Sequence, residues 1–415
     1  MGATENPLKS VGMQNTTPVP YDVTALATDP YGTYARLREA GPVHRITGTD
    51  GRPAWLVTRY EDVRKGLADP RLSLDRVNAA PGNYSGFALP PALDANLLNM
   101  DPPDHTRVRR LVVKAFTPGR IDKLRAPVRR VAEELLDAVE ADGRGRADLI
   151  AAYAAPLPIT VICDLLGVPG EHRHDFRAWT DALIAPDPER PHLAKEAIGQ
   201  LMGFFTGLIA SKRAEPADDL LSDLIAARDG EGGRGDRLSE DELTSLAFLI
   251  LFAGYENSVH LIGNAVLALL DHPALMESLR TDPAGLGAAV EEFNRWDGPA
   301  PLAIRRFPLE DIEIGGVTVP AGETVLLCVA SANRDPRHFA DPERLDPTRD
   351  RSGHLGLGHG IHYCVGAPLA RMKVETALAV LLERLPGLTL DVPREELKWR
   401  PSVRARGLIS LPVRW

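Results

Sequence analysis

The stretch of this sequence best equipped for chemistry is His354-Leu-Gly-Leu-Gly-His-Gly-Ile-His-Tyr-Cys-Val-Gly-Ala-Pro-Leu-Ala-Arg371, which sets Cys364 among four glycines. Glycines let a backbone approach a flat partner and adopt dihedrals closed to other residues. The residues after Cys364 predict a helix, with Pro368 in its first turn. Amide groups at such a helix start point at the sulfur and favour the thiolate, the form that ligates metals. Bound to iron, a thiolate donates electron density and favours cleavage of an O–O bond. Plainer readings of the same residues stay open. A lone cysteine often serves as a small apolar filler. Gly356, Gly358 and Gly360 suggest a nucleotide loop, although their spacing misses the dinucleotide fingerprint and no βαβ unit surrounds them. His354, His359 and His362 with Cys364 offer zinc ligands, but without the paired spacing of a structural site.

Other pairs of residue types fall at helical spacing. In Glu292-Phe-Asn-Arg295 the carboxylate and guanidinium share a helix face, as do His105 and Arg109. Either pair alone describes an ordinary solvated surface. A third group, Glu256, Asn257 and Ser258, follows the run Leu246-Ala-Phe-Leu-Ile-Leu-Phe-Ala253. That run is apolar on every side, so a helix from Ser239 to His272, capped by Ser239 with Asp241 and Glu242 behind it, must cross the middle of the molecule.

The elements that position these residues are mostly helical. Helices are expected over Tyr31 to Ala40, Ile121 to Ala141, Leu157 to Leu166, Leu193 to Lys212 and Ala367 to Leu385. Strands are expected over Pro42 to Ile46 and Ala54 to Thr58. The segments Asp311 to Val319 and Thr324 to Ala330 read as antiparallel strands around Pro320-Ala-Gly322. Two irregular stretches, Arg71 to Asn99 and Pro186 to Pro191, have the character of binding loops. The fold class is therefore mainly α with a small β-rich lobe. Residues 1–20 read as a flexible tail, and 21–415 as a single domain.

Composition narrows the function. The chain has 415 residues, 44% hydrophobic and 25% charged, as a globular protein with a large core does. A net charge of -9 argues against nucleic acid as a partner. Three scattered cysteines, Cys163, Cys328 and Cys364, make no disulfide framework and point to the cytoplasm. No run of eighteen apolar residues and no signal-peptide pattern is found, so no membrane attachment is expected.

The cysteine segment resembles the heme-binding loop of the cytochrome P450 family, and the likeness runs from about Tyr31 to the end. The resemblance implies the P450 fold, with heme b between the long central helix and the cysteine loop, and Cys364 as axial thiolate to the iron. Gly358 and Gly366 belong to that loop. Leu357 stands where the family usually has Phe, seven residues before the cysteine. Met100-Asp-Pro-Pro-Asp-His105-Thr-Arg-Val-Arg109 resembles the segment whose His and Arg bind heme propionates, with Arg306 and His362 in the same role. Glu292 and Arg295, with Arg344 from Pro342-Glu-Arg344, resemble a buried three-residue network. Ala253 and Gly254 match the small pair that makes room for dioxygen, and Glu256 the acid after it. Asn257 occupies the position of the usual alcohol, and Ser258 lies about 100° further round the helix. The substrate pocket is expected to include Phe252, Ala253, Leu302, Ile304 and Leu408.

The activity implied is a monooxygenase that inserts one atom of O2 into a bulky apolar molecule of the polyketide, macrolide, terpenoid or steroid-like kind. No flavin or iron–sulfur motif occurs in the chain, so electrons are expected from NAD(P)H through a ferredoxin reductase and a ferredoxin. A monomer is expected. Asn257 keeps a second reading in play, the same fold using peroxide or catalysing a dehydration or rearrangement without external electrons.

Overall fold

In the computed structural model, which describes residues 19–20, 29–48, 50–84, 90–114, 116–184, 190, 192–229, 237–350 and 353–415, the apolar run lies in the helix Glu240–Asp271. Its start is held by a capping box. The Ser239 hydroxyl accepts from the N–H of Glu242, and the Glu242 carboxylate accepts from the N–H of Ser239 at 2.7 Å. By length and composition this helix would also cross a bilayer, but 67% of its apolar window is buried inside the protein.

Four helices bear on the site: α1 (Asp104–Val113), α2 (Glu240–Asp271), α3 (Leu286–Asp297) and α4 (Ala367–Arg384). The long helix α2 packs on both α3 and α4. Leu246, Leu251, Ile262 and Ala265 of α2, Phe293 of α3, and Leu378 and Leu381 of α4 join one extensive apolar core. The other expected helices form at Pro30–Ala40, Pro118–Ala141, Pro156–Leu166 and His192–Ala214.

The β-rich lobe is a four-stranded sheet in the order β1 (Val19–Pro20), β2 (Val43–Thr47), β3 (Pro53–Val57) and β4 (Val325–Leu327). Strands β2 and β3 are antiparallel, whereas β1 and β4 join parallel to their neighbours. The expected hairpin around Pro320-Ala-Gly322 is not the one that forms. Ile312–Ile314 pairs with Val317–Val319 across Gly315 and Gly316, both at positive φ, and the following segment leaves to join β3 as β4. Two central residues at positive φ match the strand twist, and glycine takes that conformation without strain.

Of the expected tail, residues 1–18 lie outside those described, while Val19–Pro20 pairs with β2. The stretch 71–99 holds a two-residue strand against Phe307–Pro308 and a short helix, Pro91–Asp94, with 85–89 outside the described residues. Of 186–191 only Arg190 is described.

Beneath the cysteine loop, Glu292 and Arg295 form a bidentate pair at 2.7 and 2.8 Å, both buried. Arg295 also donates to the carbonyls of Asn333, Pro342 and Arg344. The expected third side chain is corrected here. Arg344 turns its guanidinium outward to Asp346 and contributes only its carbonyl. A turn in which the Arg349 N–H bonds the Asp346 carbonyl swings Arg349 back, so that its Nε lies 3.5 Å from Glu292. The N–H of Asp346 completes the carboxylate's shell at 2.9 Å.

Removing a buried partner strands a charge, whereas an exposed ion pair contributes little. Arg349→Ala should therefore destabilise the protein by about 2–3 kcal/mol and loosen heme retention, and Arg344→Ala by no more than ~0.5 kcal/mol. Urea unfolding of the two variants decides the assignment, which is wrong if Arg344→Ala is the more damaging.

Candidate active site

The cysteine loop folds tightly around its own backbone. The Cys364 N–H donates to the Leu357 carbonyl at 2.9 Å, while Gly358 and Gly360 sit at φ +78° and +72°. A Cβ on Gly360 would also lie 3.1 Å from the backbone of Leu67 and Ala68, so this glycine is needed for both conformation and approach. Helix α4 starts at once, capped by Gly366 with Pro368 in its first turn. Burial pushes the free Cys364 thiol up. Against this, the Gly366 amide hydrogen-bonds to the sulfur, and Arg109, Lys373 and Arg371 favour the anion. Cys163 and Cys328 are wholly buried, and burial raises their thiols to about 12.

On the side of α1, His105 and Arg109 lie one turn apart, and the His105 ring sits 4.1 Å from that of His362. His105 is 1% exposed, yet neither of its ring nitrogens has a partner. Arg306 is buried and donates to the carbonyls of Leu72 and Leu67, leaving its Nε unpartnered. Arg109 donates to the Tyr363 carbonyl at 2.6 Å. Burial, reinforced by Arg109, lowers the His105 pKa to about 4. Burial, then His105 and Arg306, lowers that of His362 to about 3. Among the described residues no carboxylate forms an ion pair with Arg109 or Arg306, and Asp101 is engaged by Ser73 and the Leu74 N–H. Two guanidinium groups and two imidazoles thus converge with Asp101 as a nearby negative charge but with no carboxylate paired directly to either guanidinium among the described residues. Such a cluster fits a group bearing two carboxylates, as heme does. Met100 is half-buried against the helical core beside this segment.

On α2 a narrow stripe is exposed. Ala253 and Asn257, one turn apart, are exposed, and Phe252, Gly254 and Glu256 beside them are half-buried. Phe252 stacks on Phe248 at 5.8 Å. A Cβ on Gly254 would lie 2.9 Å from Ile162, which explains the small residue. The Gly254 carbonyl accepts from both the Ser258 hydroxyl and the Lys373 ammonium, each at 2.9 Å. Ser258 therefore does not serve the groove as expected. Its position, about 100° beyond Asn257, buries it and spends its hydroxyl on the helix backbone.

Lys373 is 2% exposed and ties α4 to α2 directly. Burial lowers its pKa to about 8. Sequence reasoning missed this role, because a lysine on a late helix ordinarily reads as surface. Two pocket expectations change as well. Leu408 is wholly buried in the core and bridges to Trp399, whereas its neighbour Ile409 is 50% exposed. Leu302 is buried in a cluster with Tyr34 and Ile46. Phe252, Ala253 and the half-buried Ile304 keep accessible surface.

The family profile described as Cytochrome P450 matches residues 286–400. The chain is 47% identical to cytochrome P450 monooxygenase PikC of Streptomyces venezuelae, over 94% of this chain and 92% of that protein. It is 43% identical to 6-deoxyerythronolide B hydroxylase of Saccharopolyspora erythraea, over 93% of this chain and 96% of that one. Among solved structures, the tirandamycin C-bound P450 monooxygenase TamI superposes with a TM-score of 0.85 at 44% identity, covering 96% of this chain and 100% of the other.

The two neutral imidazoles carry a pH signature. The unfolded chain protonates its histidines near 6.5, while the fold holds His105 and His362 neutral down to about 4 and 3. The unfolded state thus binds more protons across that window, and stability falls as pH falls. The heme-free protein should be most stable above about pH 6.5 and weaken towards pH 4, with a shallower decline in His362→Gln. An identical decline in that variant would contradict the assignment.

Proposed function

This chain belongs to the cytochrome P450 family, and from that membership we propose that it oxidises a bulky, largely apolar polyketide, macrolide, terpenoid or steroid-like compound with electrons relayed from NAD(P)H by a ferredoxin reductase and a ferredoxin. It is a monooxygenase and uses heme and dioxygen. Bound heme supplies the activation of dioxygen and the transfer of one oxygen atom into a C–H or C=C bond. Cys364 would hold the iron as thiolate, while His105, Arg109, Arg306 and His362 would receive the propionates.

The observation that carries this reading is the accessible stripe of Ala253 and Asn257 on an otherwise buried helix that Lys373 fastens to the helix following Cys364. The accessible apolar surfaces of Phe252, Ile304 and Ile409 would serve as contacts for a large hydrophobic substrate in this proposal. Two relatives support the substrate class through what their names state, one a 6-deoxyerythronolide B hydroxylase and the other bound to tirandamycin C.

Glu256 is the proton donor of the groove in this proposal. Asn257, an amide, holds a water or a substrate hydroxyl in place without relaying a proton as readily as an alcohol would. The enzyme works as a cytoplasmic monomer. For a ferredoxin, the exposed Arg110 and Lys114 offer positive charge on an acidic molecule. Arg107 and Arg371 pair with Glu242 and Glu291, and Lys373 is buried, so these three add less to such a patch.

Turnover should require ferredoxin and its reductase, and Asn257→Ala should keep substrate-induced shifts of the Soret band. Product formed per NAD(P)H should drop less for substrates with a well-placed hydroxyl than for those without. Full turnover with peroxide alone would favour the electron-independent alternative. Equal, full coupling of both substrate types in Asn257→Ala would remove the side chain from proton delivery.

A further inference from the structure

Behind the groove, α2 carries a line of polar side chains through the apolar core. Glu256, His260 and Asn264 recur every fourth residue, so they follow one face of the helix. The Glu256 Oε1 lies 3.4 Å from the His260 Nε2. His260 is 1% exposed, and no hydrogen bond reaches either ring nitrogen. One turn further, the Asn264 amide donates to the carbonyls of Asp297 and Arg406, both at 3.0 Å, while its Oδ1 is buried and unpartnered. Three polar atoms on adjacent turns therefore stand without partners where an apolar helix would leave none. Such groups are costly unless they serve a function.

The far end of the line approaches solvent. Asp297 accepts from the Tyr31 hydroxyl at 2.6 Å and from the Arg406 Nε at 3.1 Å. The Arg406 guanidinium, at the partly exposed margin, lies 3.2 Å over the Trp399 ring. Gly407 follows directly, and a Cβ there would come within 2.0 Å of the His260 Nδ1. The ring is thus accommodated only because this loop has no side chain at that point.

We propose that His260 is a proton relay that reloads Glu256 from the Asp297–Arg406 margin of the protein. A solvent proton enters from the partly exposed Arg406 side and adds at Nδ1, which lies against Gly407 in that same loop. The Nε2 proton passes to the Glu256 carboxylate, and Glu256 gives it up into the groove. Each cycle returns the carboxylate to its anion and leaves the imidazole neutral with its proton on Nδ1, which must return to the solvent side while Nε2 is reprotonated before the ring donates again; no electron moves along the line. The relay explains how a half-buried carboxylate on a groove facing an apolar substrate regains its proton when the substrate shuts out water. It rests on the oxygen-activating reading above, since only that chemistry consumes protons in the groove.

Two measurements separate the relay from that reading. In the reduced, carbon-monoxide-bound protein, 15N spectra of histidine-labelled enzyme identify the His260 ring by its loss in His260→Gln, or in His260→Asn should that variant fold better. Glu256→Gln should shift those ring signals while leaving the Soret band in place. Unmoved signals would overturn the Glu256–His260 contact whatever the enzyme's activity. In turnover, His260→Gln should keep the substrate-induced Soret shift, lower product per NAD(P)H severalfold and enlarge the rate difference between H2O and D2O. Wild-type coupling and isotope effect in that variant would overturn the relay even if the contact is present. Failure of the wild-type enzyme to turn over with ferredoxin would instead count against the proposed function, leaving the spectral result to stand by itself.

Discussion

A thiolate buried beneath a flat cofactor is a charge in a poor dielectric, and most of this architecture follows from making that charge tolerable. The compensation comes from nearby. The Gly366 amide bonds the sulfur at the start of α4, and Arg109, Arg371 and Lys373 add positive potential. Each needs its own position enforced. Arg371 is gripped by Glu291 through two contacts, and Arg109 by the Tyr363 carbonyl. Lys373 spans to Gly254, so the helix that follows the cysteine and the helix that forms the groove hold a fixed separation. The Lys373 bond therefore adds a polar tie to the apolar packing that already couples these two helices.

The second electrostatic feature is complementary to the first. The cluster of His105, Arg109, Arg306 and His362 gathers positive charge and donors that Asp101 offsets only from a distance, with ring nitrogens and the Arg306 Nε left unpartnered. Without a dianionic partner the arrangement depresses both histidines and strains the fold against acid. With one, the same groups become charge-assisted donors. Binding and folding are thus coupled, because a ligand held only by the native state stabilises that state.

Much of this was legible in the sequence because its signals are local. The glycine pattern around Cys364, the all-round apolar run of α2 with its Ser239 cap, and the four-residue spacing of His105 and Arg109 all act within a turn or a loop. What escaped depends on tertiary approach. Arg344 and Arg349 are equally plausible on paper, and only the Asp346–Arg349 turn decides which reaches Glu292. Ser258 looked catalytic until its angular position buried it against Gly254. Leu408 and Ile409 differ by one residue, yet one faces the core and the other an accessible surface. The Glu256, His260 and Asn264 line did carry a readable signal, a fourfold spacing of polar residues inside an apolar helix. Its importance appears only when the unpartnered ring of His260 is seen against Gly407.

The most direct test of the whole account is the absorption spectrum of the reduced, carbon-monoxide-bound protein, compared between the wild type and Cys364→His. A sulfur ligand should place the wild-type Soret maximum far to the red of a histidine-ligated heme. Cys364→His, with the propionate cluster intact, should still take up heme but lose that displaced band together with turnover. If the substituted protein retained the displaced band, the ligand would be Cys163 or Cys328, and the site described around α2 and α4 would not be the one at which this enzyme works.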